Sequence, residues 1–224
     1  MRDLLMGIDF GTSGCKATVI DEHGNILEES QKEYQTYHPM PLYSEQNPED
    51  WVYALLEVFK QIKSRSNIDL HDIKGISFSA STHNAVLLDK NMDIIRPTIM
   101  WTDQRSFKQV DHLEENWEEM IFQITGQKVT PTWTLPQLLW IKENEPENFK
   151  KIHKIMFAKD YVRYKLTGSW GTDYIDAAGS LLFDVNNRNW SGEMCDLIGL
   201  DTVSYTHLRA HETSLHLVCR LLLE

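Results

Sequence analysis

The segment that most constrains the fold is a polar turn between two apolar runs near the N-terminus. Residues Leu4–Phe10 predict a buried strand and 16–20 a second one, separated by Gly-Thr-Ser-Gly at 11–14. A turn at 21–25 and a third strand from Ile26 continue the pattern as an antiparallel meander. A chain of this kind builds a sheet as its first layer.

Helices alternating with strands are predicted after this meander. Asn47 is a typical N-cap for a helix that begins at Pro48. Apolar side chains recur along that helix at helical spacing: Trp51, Ala54, Leu55, Val58, Phe59 and Ile62. Further strands are predicted at 73–81, 85–88 and 98–101, and further helices at 104–116, 134–144 and 159–167, the last ended by Gly168. The pattern predicts an α/β domain with a mixed sheet.

Composition argues against several classes of protein. The chain has 224 residues, a formal net charge of −11 and 42% apolar residues, which indicates a globular fold rather than disorder. Its acidic balance does not supply the basic face that nucleic-acid binders normally carry. No apolar run approaches the roughly 18 residues of a membrane span, and we expect no signal peptide at the N-terminus. Because three scattered cysteines do not form a disulfide framework, we expect a cytoplasmic protein.

The turn at 11–14 combines the residue types that phosphate binding requires. Gly11 lets backbone N–H groups approach phosphate oxygens, and the hydroxyl groups of Thr12 and Ser13 can donate further hydrogen bonds. Lys16 could reach a phosphate, and Asp9 could hold Mg²⁺ directly or through water. An ordinary hairpin turn explains the same residues, since short Gly/Ser turns are common. The residues alone leave both interpretations open.

Three familiar nucleotide-binding motifs do not apply. The chain has no G-x-x-x-x-G-K-[ST] and no G-x-G-x-x-G that opens a helix, so it predicts neither a P-loop nor a Rossmann site. Residues 9–11 spell Asp-Phe-Gly, as in protein kinases. The Gly-rich loop, V-A-I-K strand and H-R-D loop that should precede this triplet are absent, so the match is accidental.

Six segments, in the same order, resemble those of the FGGY family of carbohydrate kinases. The first is the phosphate turn at 7–16, and 75–83 resembles the strand and loop that carry sugar contacts. The others are 43–51 (W-x-E-Q-[DN]-P-x-x-W, with Tyr43 in place of the first Trp), 96–105 (R-P-x-I-x-W-x-D-x-R), 159–162 (K-D-Y) and 172–179 (S-D-x-S-x-A-x-G). The resemblance implies a ribonuclease H-like domain of the actin/hexokinase/Hsp70 superfamily, with a mixed sheet flanked by helices.

The resemblance also implies ATP and Mg²⁺ as cofactors and a sugar as phosphate acceptor. Gly11, Thr12 and Ser13 would then approach the terminal phosphates, Lys16 would be a basic phosphate contact, and Asp9 would lie near Mg²⁺. Such a loop supplies positioning and electrostatics, which phosphoryl transfer chiefly requires. We expect the partners to be a sugar and ATP, with neither nucleic acid nor a membrane. Whether the complete enzyme is a homodimer stays open.

Thr82 and His83 stand where xylulose kinases carry Met-His and glycerol kinases Arg-Glu. The resemblance therefore favours a ketopentose such as D-xylulose, and a histidine offers one donor and one acceptor to sugar hydroxyls. A gluconokinase or another polyol kinase is the alternative, because Thr82 departs from the xylulose kinase pattern. A non-catalytic sugar- or nucleotide-binding module of the same superfamily is an alternative from a different class.

Four further residues are candidates for the sugar site. Trp101, Asp103 and Arg105 occupy alternate positions and would project to one side of an extended segment. Trp101 could stack on the sugar, Asp103 could accept hydroxyl hydrogen bonds, and Arg105 could orient Asp103 or form a structural ion pair with it. Trp133 lies where glycerol kinases place a substrate tyrosine, so it is a candidate for the cleft wall.

The resemblance places the general base, an Asp in a G-G-x-D-N-like segment, outside the matching region, and this chain has no such segment. We therefore expect residues 1–201 to be an incomplete N-terminal FGGY kinase domain that is inactive alone, with its catalytic base unassigned. Residues 202–224 do not follow the family pattern and resemble translated adapter sequence. A metal site at His207, His211 and His216 is a weak alternative, because the spacing misses H-E-x-x-H by one residue.

Overall fold

The computed structural model describes residues 3–200, in which ten strands and seven α-helices form. The strands are β1 (Leu4–Phe10), β2 (Gly14–Ile20), β3 (Ile26–Glu33), β4 (Glu45–Gln46), β5 (Ile73–Ala80), β6 (Ala85–Leu88), β7 (Thr98–Ile99), β8 (Lys154–Phe157), β9 (Phe183–Asp184) and β10 (Asn189–Trp190). The helices are α1 (Pro48–Arg65), α2 (Phe107–Thr125), α3 (Thr134–Asn144), α4 (Pro146–Phe149), α5 (Ala158–Thr167), α6 (Tyr174–Ala178) and α7 (Gly192–Ile198).

The central sheet has the strand order β3-β2-β1-β5. β1, β2 and β3 pair in antiparallel fashion, whereas β1 and β5 are parallel, so the predicted meander and the mixed sheet are both confirmed. Along β1, alternate side chains from Leu4 to Phe10 are buried, and Asp9 lies on the opposite, exposed face. This alternation follows from the pleat of a strand with one face on the core.

Helix α1 covers the buried face of this sheet, packing on β2 and β3. Asn47 caps it by accepting a hydrogen bond from the Glu49 N–H over 3.2 Å, and Pro48 occupies the first turn, as predicted. The predicted apolar side chains, from Trp51 to Ile62, are all buried in the core beneath the sheet. The amphipathic pattern therefore placed this helix correctly.

Two hydrophobic clusters are separated by the ladder of β6 and β8. Val86 and Leu88 belong to the cluster under the central sheet, whereas Ala85 and Leu87 belong to a second cluster built mainly on α2, α3 and α7. All four residues of β6 are buried, because each face of the strand packs on one cluster.

The predicted helix at 134–144 is observed with those limits, and α5 ends at Gly168, whose φ is 66°. Two other predicted elements are observed with different limits. The strand predicted at 98–101 stops at Ile99, because residues 101–102 form a turn in which the Asp103 N–H donates to the Met100 carbonyl. The helix predicted at 104–116 begins three residues later, at Phe107, and continues to Thr125.

Within the described residues, no helix has the length and apolar character needed to cross a membrane. The predicted tail at 202–224, with its three histidines, lies outside those residues.

Candidate active site

Two loops leave the same edge of the central sheet, because β1 and β5 are parallel neighbours. The phosphate loop (residues 11–13) follows β1, and the sugar loop (residues 81–84) follows β5. The Ser81 N–H donates to the Phe10 carbonyl over 3.1 Å, so the two loops start side by side. The edge at the carboxyl ends of parallel strands is where α/β sheets bind ligands.

The carbonyl groups of the phosphate loop are held by side chains beneath it. Tyr34 Oη donates to the Gly11 carbonyl over 2.5 Å, and Gln46 Nε2 donates to the Thr12 carbonyl over 2.7 Å. Among the described residues, nothing accepts a hydrogen bond from the N–H groups of Thr12 and Ser13. With the carbonyls engaged, these two N–H groups remain available for an anion.

Behind the loop, backbones approach too closely for a side chain at Gly14. A Cβ there would lie 2.9 Å from the carbonyl oxygen of Lys32 in β3. The neighbouring Cys15 is buried, and this burial, with a smaller contribution from the charge of Asp9, raises the pKa of its thiol to about 12. The thiol is therefore protonated and part of the core rather than a nucleophile.

Asp9 and Lys16 lie opposite each other in β1 and β2, on the exposed face of the sheet. The Asp9 carboxylate makes no hydrogen bond or ion pair with any residue in 3–200. Lys16 Nζ pairs with Glu29 Oε1 over 2.8 Å, and both side chains are about half exposed. To contact a phosphate, Lys16 must leave this exposed pair, which is a weak constraint.

His83 is the centre of the sugar loop. Its side chain is buried, and neither ring nitrogen has a hydrogen-bond partner in the part of the chain that the structure describes. Burial lowers the pKa of His83 to about 4, with the Asp176 carboxylate acting in the opposite direction. The ring is therefore neutral near pH 7 and carries one donor and one acceptor. The centroid of the His83 ring lies 4.7 Å from that of the Trp133 ring. The preceding residue, Thr82, is exposed.

Trp101 joins the sugar loop to the phosphate loop. Its indole Nε1 donates to Thr12 Oγ1 over 3.3 Å, and its backbone N–H donates to Asn84 Oδ1 over 2.7 Å. The Trp101 side chain remains 41% exposed, so a face of the ring is accessible. The structure thus brings together the predicted residues Thr12, His83, Trp101 and Trp133.

Asp103 and Arg105 do not share this exposure, and the prediction that they project to the same side as Trp101 is wrong. Because the chain turns at 101–102, their side chains are only 1% exposed. Both Asp103 oxygens accept hydrogen bonds from Arg105, and Oδ2 also accepts from the Ser44 N–H over 2.6 Å. The two residues form a buried structural ion pair, the alternative given for Arg105, and leave no free atom for a sugar.

This ion pair extends into a network that unites two of the motifs. Arg105 Nη1 lies 2.7 Å from Glu45 Oε1, which also pairs with Arg96, and Arg96 Nε lies 3.0 Å from Glu145 Oε2. The guanidinium group of Arg105 also stacks 3.8 Å from the ring centroid of Tyr43, a favourable cation–π contact. These contacts join segments 43–51 and 96–105, and they therefore fix the part of the backbone that carries Trp101.

Several residues that contact the candidate site were not among the predicted site residues. Tyr34 and Gln46 hold the phosphate loop, Asn84 holds Trp101, and Asp176 contacts the backbone of His83. The only signal for them in the sequence was the position of Gln46 and Asp176 within the motif segments.

Solved structures of other proteins identify the class of protein to which this fold belongs. The structure superimposes with a TM-score of 0.88 on a xylulose kinase from Brucella ovis, which is 34% identical, with 92% of this chain and 43% of that chain covered. A gluconate kinase from Lactobacillus acidophilus gives the same TM-score at 22% identity, with 93% and 42% covered, and so shares the fold. The chain therefore has the ribonuclease H-like fold of the actin/hexokinase type that these sugar kinases share.

The sequence comparisons narrow the class to one family. The model described as "FGGY family of carbohydrate kinases, N-terminal domain" matches residues 4–219. The xylulose kinase of Bacillus subtilis is 40% identical over 196 residues, which are 88% of this chain and 39% of the relative. This chain belongs to the FGGY family of carbohydrate kinases and spans about 40% of the length of the curated relatives it matches. Because the family match continues beyond residue 201, it gives no support to a boundary there.

Proposed function

We propose that this chain supplies the phosphate loop and the sugar loop of an ATP-dependent kinase for a ketopentose such as D-xylulose. Its similarity to the xylulose kinase of Bacillus subtilis supports this substrate class. The observation that carries the proposal is the bridge through Trp101, which joins Thr12 to Asn84. A hydroxyl group bound at His83 then lies beside a phosphate bound at Thr12.

His83 recognises the sugar in its neutral form. A buried donor and a buried acceptor without partners cost free energy, about 1–3 kcal/mol for each group. A sugar hydroxyl satisfies one of the two nitrogens, and Trp101 and Trp133 offer aromatic surface to the C–H groups of the sugar. The exposed Thr82 side chain contributes a further hydroxyl at the same edge.

The phosphate loop stabilises charge on the transferred group. The free N–H groups of Thr12 and Ser13 donate to phosphate oxygens, and Gly11 keeps the backbone accessible to them. Lys16 adds a positive charge from the neighbouring strand once it leaves Glu29. Oriented donors of this kind do most of what a protein contributes to phosphoryl transfer.

The site also fits a magnesium ion that is brought in with ATP. Mg²⁺ commonly takes one or two carboxylates and completes its shell with phosphate oxygens and water. Asp9 provides one exposed carboxylate without a protein partner in residues 3–200, directly before the phosphate loop. In that range no group of three or more His, Cys, Asp or Glu side chains is arranged to hold a metal ion, so the ion depends on the nucleotide for its remaining ligands. When bound, it neutralises charge on the phosphates.

The chain lacks a G-G-x-D-N segment, and we propose that the base that accepts the hydroxyl proton lies outside it. Residues 1–201 are then an incomplete N-terminal kinase domain that binds its ligands without turnover. Residues 202–224 stay outside this proposal.

Calorimetry and a coupled ADP-release assay on the purified chain test the proposal. D-xylulose, L-ribulose, gluconate, glycerol and erythritol are each titrated with and without Mg-ATP. We expect D-xylulose to bind most tightly, His83→Ala to weaken it at least tenfold, and no sugar to be turned over. His153→Ala is the matched control, because His153 is exposed and lies on the loop before β8. Tighter binding of gluconate or glycerol would contradict D-xylulose as the substrate. Turnover of any sugar would contradict the proposal that the base lies outside this chain.

A further inference from the structure

Two motif segments that the proposed function does not use meet behind His83. Lys159, at the start of α5, extends its Nζ into a group of three carboxylates. It lies 2.9 Å from Asp173 Oδ2 and 3.3 Å from Asp160 Oδ1, and it also pairs with Asp176. Burial lowers the pKa of Lys159, but the carboxylates outweigh it and raise the pKa above its ordinary value. The amine is therefore a permanent positive charge at this point.

Asp176 connects this group to the sugar loop. One of its oxygens, Oδ2, pairs with Lys159, and the other, Oδ1, accepts a hydrogen bond from the His83 backbone N–H over 3.3 Å. The Asp176 side chain is 6% exposed, so its charge depends on Lys159 for compensation. Because α6 is capped by Asp173, which also pairs with Lys159, the carboxylate of Asp176 has a fixed position.

The backbone of His83 needs such fixed contacts. Its φ is 49°, in the left-handed region, which costs a non-glycine residue free energy and persists only where surrounding contacts impose it. Besides the bond from the N–H to Asp176, the His83 carbonyl accepts a hydrogen bond from Thr134 Oγ1 over 2.9 Å. Two elements distant in sequence therefore hold one residue from both sides.

The ring of His83 is confined as well. A Cβ added at Gly179 would lie 3.2 Å from His83 Nδ1 and 3.3 Å from its Cβ, so the absence of a side chain makes room for the imidazole. Trp133 also packs beside the imidazole, with ring centroids 4.7 Å apart. The two ring nitrogens stay without a partner among the described residues. This combination indicates a side chain that is held in place for a ligand.

We propose that Asp176, held by Lys159, is a positioning residue for sugar recognition, which fixes the strained backbone of His83 and with it the position of the imidazole ring at the sugar. This inference rests on the proposed function for the identity of the ligand. It gives segments 159–162 and 172–179 one shared role. Gly179 contributes to the same role by leaving room for the ring.

Variants at Asp176 and Gly179 separate positioning from general stability. Asp176→Ala removes the acceptor for the His83 N–H, and we expect D-xylulose affinity to fall at least tenfold. Asp176→Asn keeps an oxygen that can accept this hydrogen bond, so it restores part of the affinity. Gly179→Ala crowds the imidazole without changing any charge, and its matched control is Gly192→Ala, where no heavy atom lies within 4 Å of the added Cβ.

Each variant is measured by calorimetry with D-xylulose and by ¹⁵N NMR of the histidine rings without any sugar, after its fold is checked by circular dichroism. We expect Asp176→Ala and Gly179→Ala to shift the His83 ring resonances, and Gly192→Ala to leave them unchanged. Unchanged His83 resonances in both folded variants would overturn the inference, whether or not sugar binds. If the wild-type chain binds no sugar but the resonances shift as expected, the positioning stands and the proposed ligand fails.

Discussion

The indole Nε1 of Trp101 donates a hydrogen bond to Thr12 Oγ1 over 3.3 Å, although the two residues are 89 positions apart in the chain. Thr12 belongs to the phosphate loop, and the backbone of Trp101 is anchored to Asn84 in the sugar loop. Through this bond, the side chain that we propose stacks on the sugar contacts the loop whose N–H groups we propose bind phosphate.

A double-mutant cycle tests this bond. Trp101→Phe removes the indole N–H, and Thr12→Val removes the hydroxyl that accepts from it. Because both variants remove the same hydrogen bond, we expect their effects on Mg-ATP affinity to be non-additive by about 0.5–1 kcal/mol. Calorimetric titration of the wild type, the two single variants and the double variant measures the coupling.

The control cycle replaces Trp101→Phe with Trp117→Phe. Trp117 lies on α2 and packs against the second hydrophobic cluster, so its substitution should add to Thr12→Val without coupling. Equal coupling in both cycles, or additivity in the first, would contradict a link between the loops.

A second prediction concerns the buried pair of Asp103 and Arg105. Asp103→Asn leaves Arg105 with an incompletely compensated buried charge, which typically costs about 3–5 kcal/mol of stability. We expect a loss near the lower limit, since Glu45 also pairs with Arg105. Urea denaturation measures the free energy of unfolding.

Lys60→Gln serves as the comparison, because it breaks an exposed pair with Glu57 and should cost less than about 1 kcal/mol. If Asp103 instead binds the sugar directly, Asp103→Asn would abolish D-xylulose binding and leave stability intact. That result would restore the sequence-based assignment of this residue.

The stability of the chain should depend on pH through His83. Burial lowers the pKa of His83 from 6.5 to about 4, so below pH 6.5 the unfolded chain takes up a proton that the folded chain does not. The stability that the neutral ring provides is fully present above pH 6.5 and falls as the pH approaches 4. Since one pKa unit corresponds to 1.36 kcal/mol, the loss is about 2 kcal/mol by pH 5.

His83→Gln cannot titrate, so the difference in unfolding free energy between it and the wild type isolates this effect. The difference should be constant from pH 7 to 8 and should change by about 2 kcal/mol at pH 5. Parallel curves down to pH 5 would show that His83 titrates normally. The neighbouring Asp176 carboxylate, which favours the charged imidazole, would then balance the effect of burial on the pKa of His83.

Gly14 and Gly7 form a matched pair for the close packing of the sheet. Gly14→Ala would place a Cβ 2.9 Å from the Lys32 carbonyl oxygen, whereas Gly7→Ala meets no heavy atom within 4 Å. We expect Gly14→Ala to destabilise the chain by about 1–3 kcal/mol, as overpacking does. Gly7→Ala should change stability by less than about 0.5 kcal/mol, as open positions do. Similar melting temperatures for the two variants would contradict the packing between β2 and β3.

Local signals in the sequence were sufficient for much of the fold. The cap at Asn47, the apolar stripe of α1 and the stop at Gly168 depend only on neighbouring residues, so these limits were predicted correctly. The end of the strand predicted at 98–101 was not predicted correctly, because the backbone path of these residues is set by hydrogen bonds to distant partners. The Met100 N–H donates to the Ser44 carbonyl, and the Trp101 N–H donates to Asn84.

The candidate site shows the same division. Family motifs indicated the phosphate loop and His83, but alternation alone could not reveal that Asp103 and Arg105 turn inward. The contact of Asp176 with His83 spans 93 residues and appears only once the chain is folded. Sequence patterns therefore predicted the candidate segments, and tertiary contacts determine how their side chains are arranged.

The most direct test of the account is an NMR titration of the ¹⁵N-labelled chain with D-xylulose in the presence of Mg-ATP. We predict that the ring resonances of His83 and the indole N–H resonances of Trp101 and Trp133 shift together along one saturation curve, while those of the exposed His153 stay unchanged. Saturable binding that leaves His83 and Trp101 unaffected would contradict a shared sugar and phosphate site at this edge of the sheet.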